Sequence, residues 1–177
     1  QAIFEAGMKH AKFIQTDETG ARHQGKNQYA HVICNPYFTC YFIRPDKKRD
    51  TLKAIFGLGK NERLSIPLIT DDAKQYYNLS MICCLCWIHE IRHYKKLNPY
   101  LGYYKQILDL FLRELFELYQ IIQLFKIYPN YILKEYILSR FEALIFKSYG
   151  YNELELRLTA TWGNRDRLFQ VLDYPYI

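Results

Sequence analysis

No apolar run in this 177-residue chain approaches the roughly 20 residues that span a bilayer. The stretch 81–88 is far too short. No secretory leader opens the sequence, and its first residue is Gln1 rather than Met, which reads as the boundary of a piece of a longer protein. No internal repeat and no low-complexity linker interrupts it. Cysteine is sparse and odd in number: Cys34, Cys40, Cys83, Cys84 and Cys86. Three of the five crowd one apolar run, which does not suit a secreted disulfide scaffold and points to reduced thiols in the cytosol. A cytoplasmic protein without a membrane partner is therefore expected. Disorder is excluded as well, because 50% of residues are hydrophobic and 17% aromatic, enough to bury a core. Most of the 17 tyrosines read as amphipathic fillers of helix faces. The net charge of +6 permits a polyanionic partner. Its basic clusters (Lys47-Lys48-Arg49, the 92–96 stretch, Arg165 with Arg167) read on charge alone as solvated faces.

The two halves differ in texture. Residues 12–17 form a short apolar run ending in acid, and Asp17-Glu18-Thr19-Gly20 reads as a turn. Residues 28–34 are β-prone and closed by Asn35-Pro36, and 38–43 are β-prone and stopped by Arg44-Pro45. Asp46 can cap a helix that starts at Lys47, carries Leu52, Ile55 and Phe56, and ends near Gly57. Residues 66–70 form a compact strand ending in Asp71-Asp72, a short helix follows over 73–77, and 83–88 read as a buried strand. From Leu101 onward Ile107, Leu108, Phe111, Leu112, Leu115, Leu118, Ile122 and Phe125 recur at helical spacing. Pro129 interrupts this pattern. A second helical run carries Leu133, Ile137, Phe141, Leu144 and Ile145. A third extends from about Glu153 toward Leu172, with Leu154, Leu158, Trp162 and Leu168 inward and its middle broken in pattern at Trp162-Gly163. Cys34, Cys40, Cys83 and Cys84 read as small hydrophobes, and His10, His23 and His31 as surface or turn residues.

Hairpin strands followed by crossovers give an α/β fold with a mixed sheet. A ribonuclease H-like core begins in this way, here over residues 1–98, with an all-helical insertion over 99–177. In that fold the first strand is central and the strand after the first helix lies beside it. Asp17 and Asp71 would then be neighbours, and carboxylates so placed can bridge two divalent cations ~3.5–4 Å apart.

Four segments resemble the transposase domain of the insertion sequence 66 family, in the family's order. They are Gln15-Thr16-Asp17-Glu18-Thr19-Gly20-Ala21-Arg22; Ile69-Thr70-Asp71-Asp72-Ala73-Lys74-Gln75-Tyr76; Cys86-Trp87-Ile88-His89-Glu90-Ile91-Arg92-His93-Tyr94-Lys95-Lys96-Leu97; and Val171-Leu172-Asp173-Tyr174-Pro175. The resemblance implies that Asp17 and Asp71 are catalytic metal ligands. Asp72 competes for the second position but is better placed to cap residues 73–77, and Glu18 reads as a turn residue. Cys86 and His89 match a Cys-x-x-His element, with structural packing an equal reading. Arg92, Lys95 and Lys96 would contact DNA phosphates. The implied activity is Mg²⁺-dependent phosphoryl transfer, donor-end cleavage and strand transfer, with Mn²⁺ as a substitute. The implied partners are transposon ends, target DNA and further copies of the chain in a synaptic complex. The family's third acid lies beyond the helical insertion, and the chain stops at Ile177 before it, so a fragment with little activity is expected. Neither Glu153 nor Glu155 replaces that acid by motif.

One motif competes. His89-Glu90-Ile91-Arg92-His93 has the form H-E-x-x-H, which on a helix can bind Zn²⁺ and use its Glu as the general base of a metallopeptidase. Against this, the preceding residues read as strand, Arg92 puts a positive charge between the two histidines, and no third ligand is signalled. A third alternative is a non-catalytic transposase remnant that binds DNA or oligomerises.

Overall fold

The computed structural model describes residues 2–177. They form two compact units, one ending at Cys84 and the other spanning Leu85–Ile177. The first contains helix α1 (Ala2–His10), strands β1 (Ile14–His23), β2 (Lys26–Asn35) and β3 (Phe38–Arg44), helix α2 (Arg49–Phe56), strand β4 (Leu68–Thr70) and a single 3-10 turn, Lys74–Tyr76. Strand β5 (Cys83–Leu85) closes it, its last residue being the first of the second unit. The five strands make one mixed sheet in the order β3-β2-β1-β4-β5. The pairs β1–β2 and β2–β3 are antiparallel, and β4 runs parallel to β1. The α/β class, with a mixed sheet followed by a helical block, is as the sequence indicated.

Strand β1 differs from the sequence reading. Asp17-Glu18-Thr19-Gly20 is not a turn but the middle of the strand, paired in turn with Val32, His31, Ala30 and Tyr29. The turn lies seven residues later, where His23 pairs with Lys26 and leaves only Gln24 and Gly25 in the loop. Both have positive φ, 49° and 74°, as a two-residue hairpin of primed type demands. Gly25 meets that demand without cost, whereas a non-glycine residue such as Gln24 is strained there by about 1 kcal/mol. Nine paired rungs of β1 against β2 outweigh the local turn preference of Asp-Glu-Thr-Gly.

Alternation along β1 turns Ile14, Thr16 and Glu18 to one face. Ile14 joins Phe4, Ile33, Leu52, Ile55, Leu68 and their neighbours in the core of this unit. Helix α1, which the sequence reading missed, contributes Phe4, whose ring meets Phe38 and Phe42 edge-on at 6.2 and 5.0 Å between centroids. Helix α2 starts at Arg49, two residues later than expected. Asp46 still organises its entry, accepting from the Lys48 N–H at 2.9 Å and the Thr51 hydroxyl at 2.5 Å. Gly57 ends it in the left-handed region at φ 68°. His31, expected at the surface, is fully buried, and its Nε2 lies 3.0 Å from the Asp46 carbonyl oxygen that accepts from it.

The second unit is helical: α3 (Trp87–Lys95), α4 (Gly102–Ile127), α5 (Tyr131–Ile145), α6 (Asn152–Gly163), α7 (Arg165–Leu168) and a closing 3-10 turn, Phe169–Leu172. Residues 83–88 are not one strand, since β5 stops at Leu85 and α3 starts at Trp87. An apolar run this short does not distinguish strand from helix. Of the eight residues that its spacing singled out, helix α4 buries six, while Ile107 and Leu112 stay half-buried at the edges of the stripe. Asn130, directly after Pro129, caps α5 by accepting from the Leu133 N–H at 2.8 Å. The third helical run breaks where Trp162-Gly163 blurred the pattern, into α6 and α7. The Trp87 indole donates to the Leu168 carbonyl at 2.9 Å and packs against Phe141 and Phe169. Among the described residues, no helix is long and apolar enough to cross a membrane. The described cysteines are free thiols.

Candidate functional site

The parallel neighbours β1 and β4 pair Ile14 with Leu68 and Gln15 with Ile69. Two residues beyond this last rung stand Asp17 on β1 and Asp71 at the end of β4, so the register brings the two aspartates level. Both are half-buried. The Asp17 Oδ1 accepts from the Glu18 N–H at 2.9 Å. The Asp71 Oδ1 accepts from the Ala73 N–H at 3.0 Å, and the Thr70 hydroxyl donates to the Asp71 carbonyl at 2.7 Å. These bonds turn the chain out of β4 into the 3-10 turn. Asp71, rather than Asp72, therefore organises that turn, which is a correction to the expected division of labour. The Asp72 carboxylate instead accepts from the Tyr77 hydroxyl at 2.8 Å.

Glu18 is the residue that sequence reasoning undervalued. It is no turn residue: its side chain is only 7% exposed. Its carboxylate accepts from the Gln75 amide at 2.6 Å and from the Tyr76 hydroxyl, and Lys47 lies 3.5 Å away. Burial pushes its pKa above the usual carboxylate value, and the negative charge of Asp71 adds to the rise, as does that of Asp17, while Lys47 opposes it. Glu18 thus feels both aspartates from the middle of β1 and ties that strand to the 3-10 turn that follows Asp71. The signal was the phase of Ile14, Thr16 and Glu18, legible only once the strand is carried through residue 23.

Hard carboxylate oxygens suit Mg²⁺, which commonly uses one or two carboxylates and completes its octahedron with water and substrate phosphate. In a site of that kind Asp17 and Asp71 would supply the two carboxylates. Among the described residues, no group of three His, Cys, Asp or Glu is arranged to hold a metal ion.

The remaining candidate residues lie on α3 in the second unit. Cys86 occupies its N-cap position and is half-buried, and its sulfur lies close enough to Tyr119 on α4 to affect that phenol. Tyr119 is raised above its usual pKa, by burial first and Cys86 second. His89 follows one turn later, half-buried, with the Arg92 guanidinium 3.4 Å from its Nε2. Arg92, Lys95 and Lys96 are exposed at the C-terminal end of the helix, where cations are favoured by its dipole.

The H-E-x-x-H motif is helical after all, so the objection that it sits on a strand fails. A different observation replaces it. Glu90 is 3% exposed. It accepts from the Arg157 Nη2 at 2.5 Å and Nε at 3.2 Å and from the Thr161 hydroxyl at 2.5 Å. Tyr94, fully buried, hydrogen-bonds to Thr161 in the same cluster. A glutamate held in this way anchors α3 to α6 and has no freedom to act as a general base on a metal-bound water. The chain matches no protein-family model, no curated protein and no solved structure.

Proposed function

We propose that the sheet unit is a ribonuclease H-like phosphoryl-transfer core of the insertion sequence 66 transposase type, acting on DNA, with Asp17 and Asp71 as its metal ligands. The observation that carries this reading is the register of β1 against β4. In a sheet of order 3-2-1-4-5, it levels an aspartate on the central strand with one at the end of its parallel neighbour. Glu18, beside this pair, feels the negative charge of both Asp71 and Asp17, and negative charge gathered in one place favours a divalent cation. Bound there, Mg²⁺ would lower the pKa of a coordinated water and offset charge on a phosphodiester under attack.

The residues of the chain divide the remaining work. Asp17 and Asp71 hold the cation. Glu18 is a positioning residue: through Gln75 and Tyr76 it fixes the 3-10 turn behind Asp71. Arg92, Lys95 and Lys96 supply salt-sensitive contacts to DNA phosphates. The resemblance assigns the third acid to a segment downstream of the helical block. The reaction belongs to the intact protein, which acts as an oligomer on transposon ends and target.

The test is calorimetric titration of the chain with Mn²⁺. Saturable binding that is lost in both Asp17→Asn and Asp71→Asn and unchanged in His89→Ala is the expected result. Binding that survives both aspartate changes would refute the assignment. If DNA binding then proved salt-dependent but indifferent to Mg²⁺ and to Asp17, the protein would be a non-catalytic DNA-binding module.

A further inference from the structure

Helix α4 carries two stripes. One is the buried heptad of Leu108, Phe111, Leu115, Leu118, Ile122 and Phe125. The other is displaced from it by two residues, about 200° around the helix. It runs through positions 103, 106, 110, 113, 117, 120, 124 and 127, all eight of them exposed. The spacing alternates three and four, the signature of a coiled-coil seam. Four of its members are apolar, Tyr103 at 68% exposed, Leu110 at 42%, Leu124 at 48% and Ile127 at 67%, and Gln106 and Gln120 stand among them. Its centre is charged, with Arg113 one turn before Glu117.

Read backwards against itself, this stripe sets opposite charges together at its centre and apolar residues together at its two ends. A two-fold axis through residue 115 sets Arg113 against Glu117 of a second copy, twice over. The same axis sets Leu110 against Gln120, Gln106 against Leu124, and Tyr103 against Ile127. The apolar ends then continue past the helix, because the exposed Tyr100 and Leu101 of one copy approach the exposed Tyr128 and Tyr131 of the other. Phe116, 47% exposed and one residue past the axis, meets its own copy. A parallel pairing would instead oppose Arg113 to Arg113 and Glu117 to Glu117, which charge repulsion disfavours. Within one chain Glu117 has Arg140 at 3.8 Å, but the two side chains are 63% and 43% exposed, so that ion pair is weak and exchangeable.

We propose that α4 is the seam of a homodimer, in which two copies of the chain pair their α4 helices antiparallel about a two-fold axis near Leu115. The seam spans ~36 Å, 24 residues of rise from Tyr103 to Ile127, and is isologous, as a closed dimer requires. The proposal is independent of the phosphoryl-transfer reading and stands or falls without it.

Sedimentation equilibrium of the whole chain tests it, with circular dichroism to confirm that each variant is folded. The wild type should dimerise at micromolar concentration. Arg113→Glu sets like charges together at two symmetric places and should weaken the dimer at least about tenfold. Adding Glu117→Arg to that variant should restore dimerisation, while Leu124→Lys should weaken it with no such rescue. A wild type that stays monomeric, an Arg113→Glu variant that dimerises as tightly as the wild type, or a charge-swapped chain that fails to recover would each overturn the proposal.

Discussion

Replacing Arg157 by methionine should destabilise the helical unit by about 3–5 kcal/mol, the range for removing one partner of a buried ion pair. The size follows from what remains. Glu90 is 3% exposed, and with Arg157 gone it keeps the Thr161 hydroxyl as a hydrogen-bond donor but loses its countercharge. Arg157 is itself only 19% exposed at its side chain, so solvent cannot easily take its place. Its guanidinium also lies 5.8 Å from the centre of the Tyr94 ring, and that contact is lost too. A charge left buried without its partner is the dominant cost, so removing the charge as well should recover much of the loss. The double variant Glu90→Gln with Arg157→Met should therefore be more stable than Arg157→Met alone by more than about 1 kcal/mol. Urea unfolding followed by tryptophan fluorescence reports on this unit selectively, since both tryptophans, Trp87 and Trp162, belong to it. A loss below about 1 kcal/mol for Arg157→Met, the scale of an exposed pair, would refute the reasoning. So would a double variant no better than the single.

Two further outcomes follow from the first unit and the loops. Gly7→Ala places a methyl group into the ring of Phe38, which is held by Phe4, so α1 must shift. A cost of about 1–3 kcal/mol is expected, read as a lowered denaturant midpoint, and an unchanged midpoint would contradict the packing of α1 on β3. In acid, Asp46 and Glu155 should both contribute to unfolding. The Thr51 hydroxyl and the Lys48 N–H hold Asp46 below its ordinary pKa, and the N–H groups of Tyr149 and Gly150 do the same for Glu155. A depressed carboxylate stabilises the fold above its unfolded pKa and ceases to do so as pH falls through its folded one. Thr51→Val and Glu155→Gln should each therefore cost stability at pH 7 and little at strongly acid pH. Equal costs at both would contradict the assignment.

The sequence disclosed most where local chemistry and tertiary pairing agree. Residues 28–34 are β-prone and end at Asn35-Pro36, and the Asn35 carboxamide does close the turn, accepting from the N–H groups of Tyr37 and Phe38. The long 3.6-residue periodicity of α4 survives because six of its residues reach the core. Where local preference conflicted with pairing, the reading failed. Asp17-Glu18-Thr19-Gly20 favours a turn in isolation, yet a full antiparallel partner strand holds it extended. That misjudgement concealed the inward phase of Glu18, and with it the link to Gln75 and Tyr76. Helix α1 escaped notice because only Phe4 of its nine residues is buried, leaving too little periodicity to read. Helix α3 was obscured by the apolar run before it. Asp17 and Asp71 were read as neighbours through the likeness to a ribonuclease H-like strand order, and the parallel β1–β4 register agrees with that adjacency. The partners of Glu90 were not, since Arg157 and Thr161 lie 67 and 71 residues away in sequence.

The central claim is that Asp17 and Asp71 share a divalent cation. Crystals of this chain soaked in Mn²⁺, with anomalous data collected at the manganese edge, test it most directly. A peak is expected between the two carboxylates, absent in Asp17→Asn. Manganese elsewhere with none at this pair, or zinc from a parallel soak held by His89 and His93 with a position open to water, would contradict it.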